Sequence, residues 1–175
     1  MDWIVITYRV PAEPSRHRVA VWRELRKAGA ISLQQATWAV PARAHLVEGI
    51  DRADELVARA DGEAIVFEAV PRDEAQAARL EELYTEAREA EWTEFLSECD
   101  KFEQEIDKEI SKGKFIHAEL DEEEQSMERM RRWFRELRGR DVFHAPSAEL
   151  ADRRLKECGE VLEDFAHRVY EAGGT

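Results

Sequence analysis

The sequence predicts an α+β protein, with an N-terminal domain of alternating strands and helices over residues 1–71 and a helical domain over residues 72–175. Two observations lead to this prediction. Four of the five prolines lie within the first 71 residues, and none occurs between Arg72 and Ala145. Before residue 72, short β-branched or aromatic runs alternate with amphipathic segments, whereas the later apolar residues recur at helical spacing over long stretches.

The first strand and helix are bounded by residues that form turns. The run Trp3–Tyr8 is β-branched and aromatic, and this composition predicts a strand that ends before Pro11. A helix is predicted from about residue 16 to residue 28. Ser15 is placed to cap its start and Gly29 to end it.

The remaining N-terminal elements complete a recognisable order. Residues 31–40 are extended and apolar, with a possible turn at 34–36, and they end at Pro41. A second helix is predicted over about 43–60, and Asp61-Gly62 stops it. A further strand over 64–69 closes at Pro71. The order β-α-β-(β)-α-β with right-handed crossovers is the ferredoxin-like arrangement.

Three apolar stripes predict a bundle of three long helices in the second half. The third stripe advances in steps of 4, 3, 4, 3 and 4, so this helix is expected to pack along another at a shallow angle. The first stripe comprises Leu80, Tyr84, Ala87, Phe95, Cys99, Phe102, Ile106 and Ile110. The second comprises Leu120, Met127, Met130, Phe134 and Leu137, and the third Ala151, Leu155, Cys158, Leu162, Phe165 and Val169.

The charge is distributed unevenly along the chain. The net charge is −13, which argues against a protein that coats nucleic acid over its whole surface. Residues 1–47, however, carry seven basic and three acidic side chains, a local charge of +4, whereas residues 72–112 carry six basic and fourteen acidic ones. Any nucleic-acid contact is therefore expected to be local and N-terminal.

The first helix carries the candidate nucleic-acid contacts. At 100° per residue, Arg16, Arg23 and Lys27 lie opposite the apolar face with Arg26 beside them, and Arg18 falls on the apolar side. Such a stripe can follow a phosphate backbone, which contributes affinity without sequence information. The alternative is an ordinary solvated face, with Arg18 extending to water from the start of the helix.

A second basic cluster lies in the second long helix. Arg131, Arg135 and Arg138 share one of its faces, and intramolecular pairing with the acidic helix before it is the favoured interpretation. The whole cluster comprises Arg129, Arg131, Arg132, Arg135, Arg138 and Arg140. The five tryptophans (Trp3, Trp22, Trp38, Trp92 and Trp133) are interpreted as packing residues rather than a base-stacking platform.

The sequence contains no signature of catalysis. It has no Gly-rich phosphate loop, HExxH, paired CxxC or GxSxG, so we expect neither an enzyme nor a bound cofactor or metal. Asp164 and His167 have a spacing found in di-iron bundles, but the sequence shows no second matching motif, which favours a surface pair.

The compartment is expected to be the cytoplasm. Cys99 and Cys158 are interpreted as reduced thiols, buried or half-buried, because they lie far apart and outside any CxxC motif. No apolar run is long enough to span a membrane, and Met1-Asp2-Trp3 does not begin a secretion signal.

Several scattered motifs carry a family resemblance. They are Pro11-x-x-Pro14-Ser15-x-x-Arg18-Val19-x-Val21-Trp22-Arg23-x-Leu25, Gly29-Ala30, Trp38-x-Val40-Pro41, Gly62-Glu63-Ala64, Gly113-Lys114-Phe115, Arg131-Arg132-Trp133, Arg140-Asp141-Val142-Phe143 and the stretch Phe165–Tyr170. With these motifs the chain resembles the N-terminal domain of the chromate-resistance regulator ChrB over nearly its whole length.

The resemblance implies a chromate-responsive, cytoplasmic transcriptional regulator that binds promoter DNA. It makes the basic residues of the first helix the candidate contacts: Arg16, Arg18, Arg23, Arg26 and Lys27. The first 71 residues are also similar to the central domain of PaaX-type repressors and to the small ferredoxin-like nuclease of CRISPR adaptation. That nuclease uses an aspartate after its first strand to hold metal, whereas Tyr8-Arg9-Val10 stands here, so a hydrolase is rejected.

The sequence also leaves a second function open. The amphipathic helices could bind a partner protein or a second copy, which would make the chain an interaction or dimerisation module without DNA binding. A homodimer or a complex with a partner protein is expected.

Overall fold

The computed structural model describes residues 1–173, which divide between two compact units. The first unit comprises residues 1–84 and the second begins at Thr85. The predicted boundary after residue 71 lies between the last strand and the third helix, whose first turns belong to the first unit. The elements are β1 Trp3–Arg9, α1 Arg16–Lys27, β2 Ile31–Gln34, β3 Thr37–Pro41, α2 Ala44–Arg59, β4 Glu63–Ala69, α3 Glu74–Lys112, α4 His117–Arg140 and α5 Ala148–Gly173.

The four strands form one antiparallel sheet in the order β2-β3-β1-β4. Since β2 and β3 form a hairpin and β3 lies between β1 and β2, this is the ferredoxin-like topology that the element order predicts. The turn expected at 34–36 separates β2 from β3, and Ala36 there has a positive φ of 59°.

Two helix ends differ in detail from the sequence expectation. Ser15 stands at the N-cap of α1, but its side chain makes no capping hydrogen bond because its backbone is already helical, with φ −57° and ψ −23°. After α2, Asp61 rather than Gly62 takes the left-handed conformation, with φ 54°. Gly62 is required for close approach, since a Cβ there would lie 2.5 Å from the carbonyl oxygen of Arg9.

The core of the first unit joins both helices to the sheet. Val21 and Leu25 of α1 and Ile50 of α2 are fully buried, as is Ile6 of β1. The two helices approach closely at Gly49, where a Cβ would lie only 2.3 Å from the Cβ of Ala28. This close contact fixes α1 by its apolar face and leaves its opposite face in solvent.

The second unit has its own core, built from the three predicted apolar stripes except Leu80 and Tyr84, which belong to the first unit. The a/d pattern of α5 is confirmed, because Ala151, Cys158, Phe165 and Val169 are all buried and Leu155 is half-buried against them. The other large buried side chains are Trp92, Phe95, Phe102 and Ile106 of α3 and Leu120, Met127, Met130 and Leu137 of α4.

Side chains of α3 hold the segment that joins α4 to α5. The indole of Trp92 donates a 3.0 Å hydrogen bond to the buried carboxylate of Asp141, which also accepts from the backbone N–H of Ala145 at 3.0 Å. Glu89 accepts hydrogen bonds from the backbone N–H and the hydroxyl of Ser147. Two carboxylates therefore accept hydrogen bonds from the backbone N–H groups of Ala145 and Ser147 in this connection.

Candidate nucleic-acid interface

The exposed surface of α1 includes all five predicted contact residues. Each of the five is exposed, and they extend along a helix of twelve residues, which is about 18 Å long. We call this surface the α1 basic face; it comprises Arg16, Arg18, Arg23, Arg26 and Lys27. All five predicted residues are thus accessible, with Arg18 and Lys27 at opposite margins of the exposed surface.

One side of the α1 basic face is a ridge with an aromatic centre. Arg18, Trp22 and Arg26 are spaced four residues apart and all are exposed. Arg18 keeps its helical position on the apolar side and extends to water from the first turn. Trp22 is 48% exposed, and the guanidinium carbon of Arg26 lies 5.6 Å from its ring centroid. This spacing is that of a cation–π contact.

The ridge adds two residues that sequence reasoning did not select. Trp22 was interpreted as packing, yet it is exposed, whereas Trp3, Trp38 and Trp92 are buried and Trp133 packs against the core of the second unit. Val19 is also exposed, at 41%. The sequence does contain an indication of this exposure, because Trp22 and Val19 both fall between arginines on a helical projection.

The only acidic side chain of α1 is neutralised from α2. The carboxylate of Glu24 accepts a 2.5 Å hydrogen bond from the Nε of Arg52, and the Glu24 side chain is only 17% exposed. This hydrogen bond raises the pKa of the Arg52 guanidinium. The carboxylate is therefore compensated within the fold, and the potential above α1 is set by its cations.

Interaction with the helix dipole accounts for the positions of only some of the cations on the α1 basic face. Arg26 and Lys27 lie in the last turn, where cations interact favourably with the helix dipole. Arg16 and Arg18 lie in the first turn, which holds no acidic residue and where cations interact unfavourably with the same dipole. Stabilisation of the helix therefore does not account for these two arginines.

The arginine cluster of α4 divides into paired and solvent-exposed members. The Nε of Arg140 contacts Glu91 of α3 at 3.2 Å, as the intramolecular interpretation predicts, and Arg131 pairs with Glu128 at 2.9 Å within α4. Arg132, Arg135 and Arg138 are exposed, and none forms an ion pair with another described residue. Because they are exposed cations outside α1, these three arginines are suitable control positions for substitutions in the α1 basic face.

The residues considered for metal or thiol chemistry do not assemble a centre. Asp164 pairs with Arg168 at 2.8 Å and His167 with Glu171 at 3.2 Å, so Asp164 and His167 do not form the expected surface pair with each other. Within residues 1–173, no three His, Cys, Asp or Glu side chains are grouped to hold a metal. Cys99 and Cys158 are buried free thiols, as predicted.

The same part of the chain offers no helix that is both long enough and apolar enough to cross a bilayer.

The second unit contains an acidic cleft that sequence reasoning did not identify. It lies between α3 and α4 with a volume of about 480 Å³, and its acidic lining comprises Glu98, Glu105, Glu122 and Glu123. Glu123 is only 6% exposed. Burial, together with the neighbouring carboxylates, raises the pKa of Glu123 from 4.5 to about 6.

We expect Glu123→Gln to stabilise the protein at pH 7 by about 2 kcal/mol. The pKa of Glu123 is higher in the folded state than in the unfolded state, so the charged carboxylate destabilises the fold above pH 6. This penalty declines as the pH falls through 6, and the advantage of the variant should vanish near pH 4.5. Urea unfolding at several pH values measures the difference. The matched control is Glu122→Gln at an exposed neighbouring site, where a pH-dependent gain of the same size would contradict burial as the cause.

The comparison with known families agrees with the sequence motifs. Residues 18–175 match the family described as "Protein ChrB, N-terminal", which includes most of α1 and every later element. No curated protein matches the chain in sequence. Since the family match covers far more than half of the 175 residues, the chain belongs to the ChrB N-terminal family.

Proposed function

We propose that this protein is a non-enzymatic transcriptional regulator linked to chromate resistance, which binds promoter DNA through the α1 basic face. Membership of the ChrB N-terminal family supports the regulatory role. The observation that carries the DNA contact is the concentration of five exposed cations on one helix whose single carboxylate is tied to Arg52.

In this proposal the cations and the apolar residues of the ridge contact different parts of the DNA. Long arginine and lysine side chains along about 18 Å of helix reach phosphates and position the protein on the duplex. Trp22 and Val19 present apolar surface between those cations, which can contact sugars or base edges. The acidic surface of the second unit opposes non-specific adsorption, because phosphates repel its carboxylates.

Fluorescence anisotropy with DNA from upstream of the protein's own gene tests the proposal. Five phosphate contacts predict that log K falls with log salt concentration with a slope of about −4.5. The double variant Arg23→Gln/Lys27→Gln should weaken binding and reduce the steepness of that slope by about 2.

The matched control is Arg132→Gln/Arg135→Gln, which removes the same charge from exposed positions on α4. It should leave both affinity and salt slope nearly unchanged. The absence of binding at low salt would overturn the proposal. A loss of binding confined to the α4 variant would move the contact away from α1.

A further inference from the structure

The two edges of the sheet differ in how they are protected. The β2 edge is short, with four residues and a shift in its pairing with β3 between Ser32 and Gln34. The β4 edge is longer, and its seven residues pair with β1 one to one from Glu63 to Ala69 without a bulge. Short length and irregular pairing are common ways to prevent an edge from adding strands, and only β2 shows them.

The centre of β4 is apolar and exposed on both faces of the sheet. Ile65 is 66% exposed, Phe67 46% and Val66 39%. Ile65 and Phe67 share one face, because they lie opposite Thr7 and Val5 of β1. β4 contains no lysine and no proline, and its two charged residues, Glu63 and Glu68, lie on either side of the apolar centre rather than within it.

The sequence of β4 is complementary to itself in antiparallel pairing. Residues directly opposite each other must both turn their backbone groups toward the partner or both away, so a symmetric pair must be centred on a residue. Centred on Val66, all seven residues pair, and Ile65 of each copy lies opposite Phe67 of the other. Glu63 then faces Ala69 and Glu68 faces Ala64, so no like charges are opposed.

Other registers are less favourable. When the two-fold axis is moved by one residue, to Ile65 or to Phe67, only five of the seven residues of β4 are paired. A centre at Phe67 also places Glu68 against Val66, and a centre at Ile65 places Glu63 against Phe67. The Val66 register therefore has the most backbone pairs and the best match of apolar side chains.

We propose that β4 pairs with β4 of a second copy of this chain around a two-fold axis at Val66. The pairing joins two four-stranded sheets into one continuous sheet of eight strands. It is an isologous contact, because each copy contributes the same strand. The inference does not rest on DNA binding.

Sedimentation velocity of the full chain tests the assembly. At tens of micromolar we expect a mass of about twice 20.3 kDa. Phe67→Lys places a charge at the contact, on a side chain that is already half exposed, and should weaken association at least tenfold without unfolding the protein. The matched control Val70→Lys alters a residue that is 75% exposed beyond the end of β4, and it should leave the dimer intact.

Engineered cysteines test the register. Val66→Cys should form a disulfide with itself on mild oxidation, whereas Ile65→Cys should form one only when mixed with Phe67→Cys. The two Ile65 positions are diagonal neighbours about 7 Å apart, too far for a direct disulfide. The wild-type cysteines are fully buried and serve as the background. A monomer at these concentrations, or a dimer insensitive to Phe67→Lys, would overturn the proposal. A disulfide between two copies of Ile65→Cys, or none from any cysteine in β4, would overturn this register.

Discussion

The charge reversal Arg16→Glu/Arg18→Glu is expected to reduce DNA affinity on the order of 100-fold while leaving the fold at least as stable as before. Both side chains are exposed in the first turn of α1. Carboxylates in this turn interact favourably with the helix dipole, by about 0.3–1 kcal/mol each. Binding and stability should therefore change in opposite directions, and parallel anisotropy and thermal unfolding measurements would show it.

The control for this experiment carries the same change of overall charge. Arg132→Glu/Arg135→Glu adds four negative units at exposed positions of α4. If the contact is local, this variant retains most of its affinity. Equal losses in the two variants would show that DNA responds to the net charge of −13 and not to the α1 basic face.

Asp141→Ala should destabilise the second unit by about 3 kcal/mol. The Asp141 side chain accepts hydrogen bonds from the indole N–H of Trp92 and the backbone N–H of Ala145, and all three residues are buried. Without the carboxylate, two buried donors lose their acceptor and no water can replace it readily. Equilibrium unfolding in urea, followed by tryptophan fluorescence, measures the change.

Two further variants separate this hydrogen-bond role from other effects. Asp141→Asn retains one oxygen acceptor and should recover part of the loss. Asp107→Ala removes an exposed aspartate from the same unit and should change stability by less than about 0.5 kcal/mol. A loss in Asp107→Ala as large as in Asp141→Ala would contradict the assignment.

The sequence predicted the order and type of the elements because their signals are local. Short β-branched runs bounded by proline or glycine gave the strands, and apolar spacing gave the helices. Gly29 ends α1 with a positive φ of 78°, as expected. The capping hydrogen bond of Ser15 is absent because its backbone conformation depends on the preceding loop, which a residue-type rule does not contain.

The candidate site was predicted only in part. The five cations of α1 follow from residue type and helical periodicity. The exposure of Trp22 does not, since an aromatic residue at the border of an apolar face can turn to either side. The pairing of Glu24 with Arg52 joins residues 28 positions apart and depends on the packing of α1 against α2.

By itself, the sequence determined the ferredoxin-like order, the three helical stripes and the basic character of α1, because each depends on neighbours within a few turns. The tertiary structure decided which surfaces remain available. It buried Glu123 beside other carboxylates and left the apolar centre of β4 at an open sheet edge. Burial and strand order are set by contacts between distant segments, and hydrophobic periodicity does not encode which edge of a sheet will lack a neighbour.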